Sequence, residues 1–425
     1  MLTGNTVAVA IAFIGILCYV LKSYFPYPPV VVIGIDLGTS FSGAAYFNNG
    51  FGNVSIIYDQ RNKPIFPSTV TFYENGSIVV GEYPGFSDIS RHVTFYDSKR
   101  YIGRRNLTVH NLLSYPFKLD IVDGQVKFVL PEGFKVKTST SSFTPVDLAF
   151  LIILHVKENF KKRFGYYPEK AVIGVPVEFD ELQRNETIKA AKLAGLNVLR
   201  LVNEPTAASM ACDVHNRPSV ENVVVLDLGG GTYDVAILNS VERTLNTLSI
   251  AGNDRLGGRD FTSQFANCIQ EMTESGPGFQ GREHEEFFRV VEEAKIQLSR
   301  FDTVEISFEK NHRNWLLKVT RDQFNECTDG LFRKLIKPIQ LALEEAHLTV
   351  KDIHEIVLVG GATRMPKFRI IVRDFFNREP NNDVDPDTAV LIGLANQAGI
   401  LTQGWPLEKS AIDIPPKFIR KINVA

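Results

Sequence analysis

The chain has 425 residues, of which 44% are hydrophobic, 22% charged and 11% aromatic; this is the make-up of a folded protein with room for two or three domains, and it excludes wholesale disorder, a collagen and a multi-span membrane protein. Lys and Arg number 46 against 48 Asp and Glu, a net charge of -2, so there is no basic footprint for nucleic acid. Four scattered cysteines (Cys18, Cys212, Cys268 and Cys327) form neither a zinc pattern nor a disulfide framework by spacing.

In chain order, the first feature is an apolar run over residues 7–21, with Lys22 the first ionisable side chain. Its length fits the core of a secretory signal better than the ~20 residues of a spanning helix. An uncleaved signal-anchor is the second reading and a buried first element the third. Entry into the secretory pathway would expose Asn-x-Ser/Thr triplets at Asn53, Asn75, Asn106 and Asn185 to glycosylation. Residues 30–35, all apolar but for one glycine, predict a buried strand at which the mature fold begins. Thr144, Pro145 and Asp147 make a helix start, and the amphipathic run they open continues through Phe164 to a stop at Gly165. A second helix is expected over 181–194, ending at Gly195. Apolar strands follow at 223–226 and 356–359, each running into glycines, with an acid-rich helix over 283–298 between them and another helix from Lys367. Strands alternating with helices imply an α/β fold with a largely buried sheet.

The strand ends carry the chemistry. Asp36-Leu37-Gly38-Thr39-Ser40 follows the first strand, and Asp227-Leu228-Gly229-Gly230-Gly231-Thr232 follows the second. A carboxylate at a strand end can hold a hydrated metal ion, and a turn without side-chain bulk lets backbone N–H groups reach a phosphate. One such turn is weak evidence. Two copies suggest two similar lobes facing each other across one phosphate site. A third turn, Gly360-Gly361-Ala362-Thr363-Arg364, could lay a purine against backbone under a guanidinium plane. Neither the Walker A nor the Rossmann glycine spacing occurs at these strands, so P-loop NTPases and dinucleotide dehydrogenases drop away.

With these turns, the segments 96–103, 194–200, 203–208 and 256–261 make the chain resemble the nucleotide-binding domain of the 70-kDa heat-shock chaperone family, within the actin-like (ribonuclease-H-like) ATPase fold of two lobes around a central cleft. The resemblance implies lobe I over 30–217 with a return at 384–403, lobe II over 218–383, and an N-terminal segment 1–29. It also implies ATP or ADP with Mg²⁺, K⁺ being a further candidate cation. In the implied site, Asp36 and Asp227 hold Mg²⁺ through water, and Lys99 with Glu204 orders the attacking water. Thr39, Ser40 and Thr232 contact phosphates, with Asp234 nearby, while Glu292, Lys295, Ser299, Gly360, Gly361, Arg364 and Asp387 surround adenosine. Pro176 resembles the family's switch proline and Arg200 its lobe-coupling arginine. J-domain co-chaperones, exchange factors or other chaperones are the implied partners, with the protein a monomer.

Four positions depart from the family. Ile296 stands where most members carry an arginine stacked on adenine, Ala362 replaces a serine, Phe41 a tyrosine and Arg259 a glutamate. These changes predict weaker ADP retention. About 24 residues follow Leu401, too few for a peptide-binding domain, so within the family the chain resembles a form reduced to its ATPase core, which is associated with the endoplasmic reticulum and active without peptide. The terminal Lys421-Ile422-Asn423-Val424-Ala425 is not a lumenal retrieval signal, which leaves secretion as an alternative destination. Ile412, Ile414 and Phe418 in the tail could pack back onto the core or recruit a partner. A non-catalytic nucleotide-binding scaffold and a sugar kinase of the same superfamily are the competing functions. Retention of Asp36, Lys99, Glu204, Asp227 and Thr232 weighs against the scaffold, and the lack of an assignable sugar-activating Asp weighs against the kinase.

Overall fold

The computed structural model describes residues 31–48, 51–84, 91–109, 112, 115–134, 141–272, 281–310, 313–402, 412–414 and 421–424. The expected N-terminal signal and Phe418 lie outside them. No helix among the described residues is long and apolar enough to cross a membrane.

Two six-stranded sheets organise the chain. The first contains β1 (Val32–Leu37), β2 (Phe41–Asn48), β3 (Asn53–Ile57), β4 (Ile65–Pro67), β5 (Lys170–Val175) and β6 (Asn197–Asn203), in the order β6-β5-β1-β2-β3 with β4 on β2. β1 runs parallel to β5 and antiparallel to β2. Its apolar sequence is the consequence of position, since a central strand covered on both faces must be apolar throughout. The covering helices include α1 (Pro145–Phe164), α2 (Glu181–Leu193) and the short α3 (Glu204–Ala211). α1 starts at a capping box in which Thr144 Oγ1 accepts from the Asp147 amide at 3.1 Å while the Asp147 carboxylate accepts from the Thr144 amide at 2.7 Å. It stops at Gly165, whose φ of 83° closes the last turn.

The second sheet repeats the plan. It contains β7 (Asn222–Leu228), β8 (Tyr233–Val241), β9 (Thr244–Asn253), β10 (Glu355–Val359), β11 (Ile412–Ile414) and β12 (Ile422–Asn423), ordered β10-β7-β8-β9-β11 with β12 also on β9. β7 is parallel to β10 and antiparallel to β8, as β1 is to β5 and β2. Around it lie α4 (Gly258–Met272), α5 (Gly281–Leu298), α6 (Arg321–Cys327) and α7 (Pro366–Phe376), and α8 (Ala389–Leu401) follows them. The repeat of one plan in two sheets fits the two-lobed arrangement expected from the sequence.

α8 ties the sheets together. It is apolar on nearly every side, and Val390, Leu394 and Ala398 share one buried cluster with Val32 and Val172 of the first sheet and Val225 and Val357 of the second. Gly393 lets α8 sit at backbone distance from α3, where a Cβ would fall 1.8 Å from the Ala207 carbonyl oxygen.

One expectation changes, and one open alternative narrows. Cys268 of α4 and Cys327 of α6 form a disulfide, leaving Cys212 free and buried. Spacing alone could not show this pair, because 59 positions separate two cysteines that packing of the two helices brings together. In the tail, β11 and β12 return to the sheet and pair in parallel with β9, so the backbone at Ile412 and Ile414 lies along the core sheet, in line with the first of the two readings for the tail.

Candidate functional site

A cleft of about 2880 Å³ opens between the two sheets, and every side chain or glycine that the sequence singled out for the nucleotide lines it. Its floor is the pair of Asp-Leu-Gly turns. Asp36 ends β1 and Asp227 ends β7. The turns are tight enough to exclude side chains: a Cβ on Gly38 would lie 2.1 Å from the Phe41 carbonyl oxygen, and one on Gly230 would lie 2.0 Å from Ser40 Oγ of the opposite turn. The two turns therefore face each other closely enough to share one ligand.

Lys99 reaches this floor from a 3-10 turn over Ser98–Arg100, entered through Asp97 in a left-handed conformation (φ 63°). Its Nζ lies 2.5 Å from Glu204 Oε1, and Glu204 is the first residue of α3, where a carboxylate is favoured by the free N–H groups of the helix start. Burial works to depress the Lys99 ammonium, but Glu204, Asp36 and Asp227 around it outweigh that and raise it, so the lysine stays charged. Burial and the neighbouring Glu204 raise the Asp36 carboxyl to about 7, with Lys99 opposing. Burial raises Asp227 as well, with Asp234, Glu204 and Asp36 adding to the effect. Carboxylates concentrated in this way around one lysine are short of positive charge, and a divalent cation would supply it. Among the described residues no three carboxylate, histidine or cysteine side chains converge to hold an ion by themselves. Any ion here would complete its shell with water and phosphate oxygens, for which Asp36 and Asp227 are suitable donors.

Elsewhere in the lining, hydrogen bonds fix a second set of side chains. Lys295 Nζ donates to the Gly258 carbonyl at 2.8 Å, to Thr262 Oγ1 at 3.0 Å and to Glu292 Oε2 at 2.8 Å, which fixes both Glu292 and Lys295 on α5. Ser299 lies one turn further on, its Oγ donating to the Lys295 carbonyl at 3.4 Å. Across from them Arg364 Nε donates to Asp387 Oδ2 at 3.0 Å, and its Nη2 pairs with Asp385. Gly361 leaves room for that carboxylate, since a Cβ there would meet Asp387 Oδ1 at 2.7 Å. Ile296 stands exposed at the cleft wall, where a flat guanidinium is missing.

Pro176 follows β5 and lines the cleft, whereas Arg200 lies within β6 and is not part of the lining. Arg259, a departure from the family pattern, has a defined place. Its guanidinium donates to Asp97 Oδ2 at 3.1 Å and to Ser40 Oγ at 3.0 Å, and lies 5.4 Å from the Tyr96 ring centroid. Two site features were not singled out from sequence. Arg100 lies beside Gly231 and pairs with Asp97 at 3.1 Å, and Lys421 from the tail pairs with Asp234 at 2.5 Å. Arg100 sits inside a segment that carried the resemblance; Lys421 belongs to no motif.

A family profile described as Hsp70 protein matches residues 32–414. The chain belongs to the Hsp70 family. Within that family it is 36% identical to "Heat shock 70 kDa protein 13" of Homo sapiens and 35% identical to the Bos taurus protein of the same name, over 95% of this chain and 96% of each relative. It is also 35% identical to "Chaperone protein HscA homolog" of Mannheimia succiniciproducens, over 92% of this chain and 62% of that chaperone. The chain is thus an Hsp70-family nucleotide-binding core of ATPase type, and Hsp70-family proteins use ATP or ADP with Mg²⁺ and typically engage co-chaperones.

Proposed function

We propose that this protein is a slow, Mg²⁺-dependent ATPase that turns over without bound peptide and works in or on the endoplasmic reticulum. The observation that carries the reading is the Lys99–Glu204 pair at 2.5 Å, set among Asp36 and Asp227 at the floor of the cleft. Lys99 offers a fixed donor and Glu204 a fixed acceptor, a combination that orients water for in-line attack on a terminal phosphate while the lysine offsets its charge. Amide groups of the glycine turns and the hydroxyls of Thr39, Ser40 and Thr232 hold the phosphate chain. Mg²⁺ held by Asp36 and Asp227 would neutralise charge on the departing diphosphate. Glu292, Lys295, Ser299, Gly360, Gly361, Arg364 and Asp387 seat the adenosine. Residues 30–217 with 384–403 form one lobe and 218–383 the other, an assignment supported by the seat of α8 on β1 and α3.

The location is supported by three features. The apolar segment 7–21 fits a signal, the Cys268–Cys327 disulfide suits an oxidising lumen, and Asn53, Asn75, Asn106 and Asn185 are all exposed where glycans could attach. The protein's partners would be other chaperones, J-domain proteins or exchange factors, the kinds that Hsp70-family proteins engage.

Single-turnover hydrolysis of ATP with Mg²⁺ and no peptide tests the reading. The protein is expected to hydrolyse slowly, and Lys99→Ala to lose at least about a hundredfold in rate while still binding nucleotide. Binding without hydrolysis in the parent protein would favour the scaffold instead, a reading that Ile296 and Ala362 in the adenosine wall support.

A further inference from the structure

The two glycine turns differ in one charged position. β1 and β2 place Gly43 opposite Asp36, whereas β7 and β8 place Asp234 opposite Asp227. Residues directly opposed in an antiparallel pair project from the same face at close range, and like charges there repel. The second turn therefore carries a surplus carboxylate at the place where an anionic phosphate is to bind.

The segment that returns to the sheet supplies the missing counter-charge. Lys421 Nζ lies 2.5 Å from Asp234 Oδ1 and 2.5 Å from Asp254 Oδ1, with 8% of its side chain exposed. The arrangement is built rather than incidental. Gly252 makes room for the stem, because a Cβ there would stand 2.6 Å from Lys421 Cε and 2.8 Å from Asp234 Oδ1. β12 then fixes the backbone on either side: Ile422 and Asn423 pair with Ala251 and Gly252, Val424 N donates to the Gly252 carbonyl at 2.7 Å, and Asn423 Nδ2 donates to Asp254 Oδ2 at 2.7 Å. Asn423 and Val424 also line the cleft.

We propose that Lys421 is a positioning residue of the phosphate site, a tethered ammonium that neutralises Asp234 so that the second Asp-Leu-Gly turn can accept a polyphosphate chain. The proposal rests on reading that turn as a phosphate site. It makes the tail part of the nucleotide machinery, although its sequence carries no motif.

The test is titration of the full chain with Mg-ATP, by calorimetry, for the parent, Lys421→Ala and Lys421→Arg, each repeated with tens of millimolar ethylammonium. Lys421→Ala removes the charge together with the stem that carries it; its dissociation constant is expected to rise about tenfold or more, and ethylammonium to restore at least a third of the loss by entering the vacated space. Lys421→Arg is expected to stay within threefold of the parent, which ethylammonium leaves unchanged. A residue that merely anchors the tail would lower the melting temperature and show no rescue. Should Lys421→Ala melt below the assay temperature, Lys421→Ser, which vacates the same space, carries the same comparison. An affinity within twofold of the parent for the neutral variant, or a loss that ethylammonium does not reverse, overturns the proposal while leaving the phosphate site standing. A parent that binds no nucleotide overturns both.

Discussion

Ile296 bears on how the adenosine wall behaves, because it is 46% exposed in the cleft lining and offers neither a π-face nor a charge where the resemblance places a stacked arginine. A guanidinium stacked on a base contributes roughly 0.5–1 kcal/mol at such a half-open site. Ile296→Arg is therefore expected to tighten ADP binding about three- to fivefold in calorimetric titration and to leave the hydrolytic rate unchanged; unaltered affinity would mean that the base lies elsewhere. The residues found from sequence alone share a property that Ile296 also has: each belongs to a recognisable local segment. Lys99 and Glu204 are 105 positions apart, yet each sits in its own recognisable segment, so both were legible. Lys421 was not, because its role depends only on where one strand lies in space.

Among the elements, the helix ends were legible where side chains close them locally. Thr144 with Asp147 and Asp180 with Gln183 form capping boxes within four residues, a scale at which sequence and structure coincide. The pairing of α4 with α6 was not legible, since the Cys268–Cys327 bond follows from helix packing across 59 positions. Cross-linking a loop of that size stabilises a fold by roughly 2–4 kcal/mol. Thermal melting under reducing conditions is expected to shift down by several degrees relative to oxidising conditions. The Cys268→Ser, Cys327→Ser double variant should melt at the lower temperature and no longer respond to reductant. An unchanged melting curve, with three reactive thiols in the unfolded signal-free protein, would show that the two sulfurs are not joined.

For the whole molecule, the two sheets meet at two levels, and the upper one is charged. Below the cleft, α8 and α3 bury an apolar seam between the sheets. Above it, the Asp97 carboxylate, with a side chain only 2% exposed, accepts from Arg259 at 3.1 Å and from Arg100 Nε at 3.1 Å, and Arg100 continues to the Asp254 carbonyl at 3.3 Å. Arg259 is on α4, beside the second sheet, while Asp97 and Ser40 belong to the first sheet's side, so the guanidinium spans the mouth directly over the phosphate turns. Opening the cleft to release ADP has to break the bonds from Arg259 to Asp97 and Ser40 and the one from Arg100 to Asp254, whereas the apolar seam can flex without parting. Removing one partner of a buried, hydrogen-bonded charge pair costs about 2–5 kcal/mol and acts mainly on dissociation. Arg259→Glu restores the family's residue but sets a second carboxylate against Asp97, and is expected to speed ADP release at least tenfold in stopped-flow displacement with a fluorescent analogue. Arg259→Lys, which keeps the charge and loses the fork that binds Asp97 and Ser40 together, should fall between the two. If both variants release ADP at the parent's rate, the closing force resides in the α8 seam, and the replacement of the family's glutamate by arginine at position 259 has no bearing on nucleotide exchange.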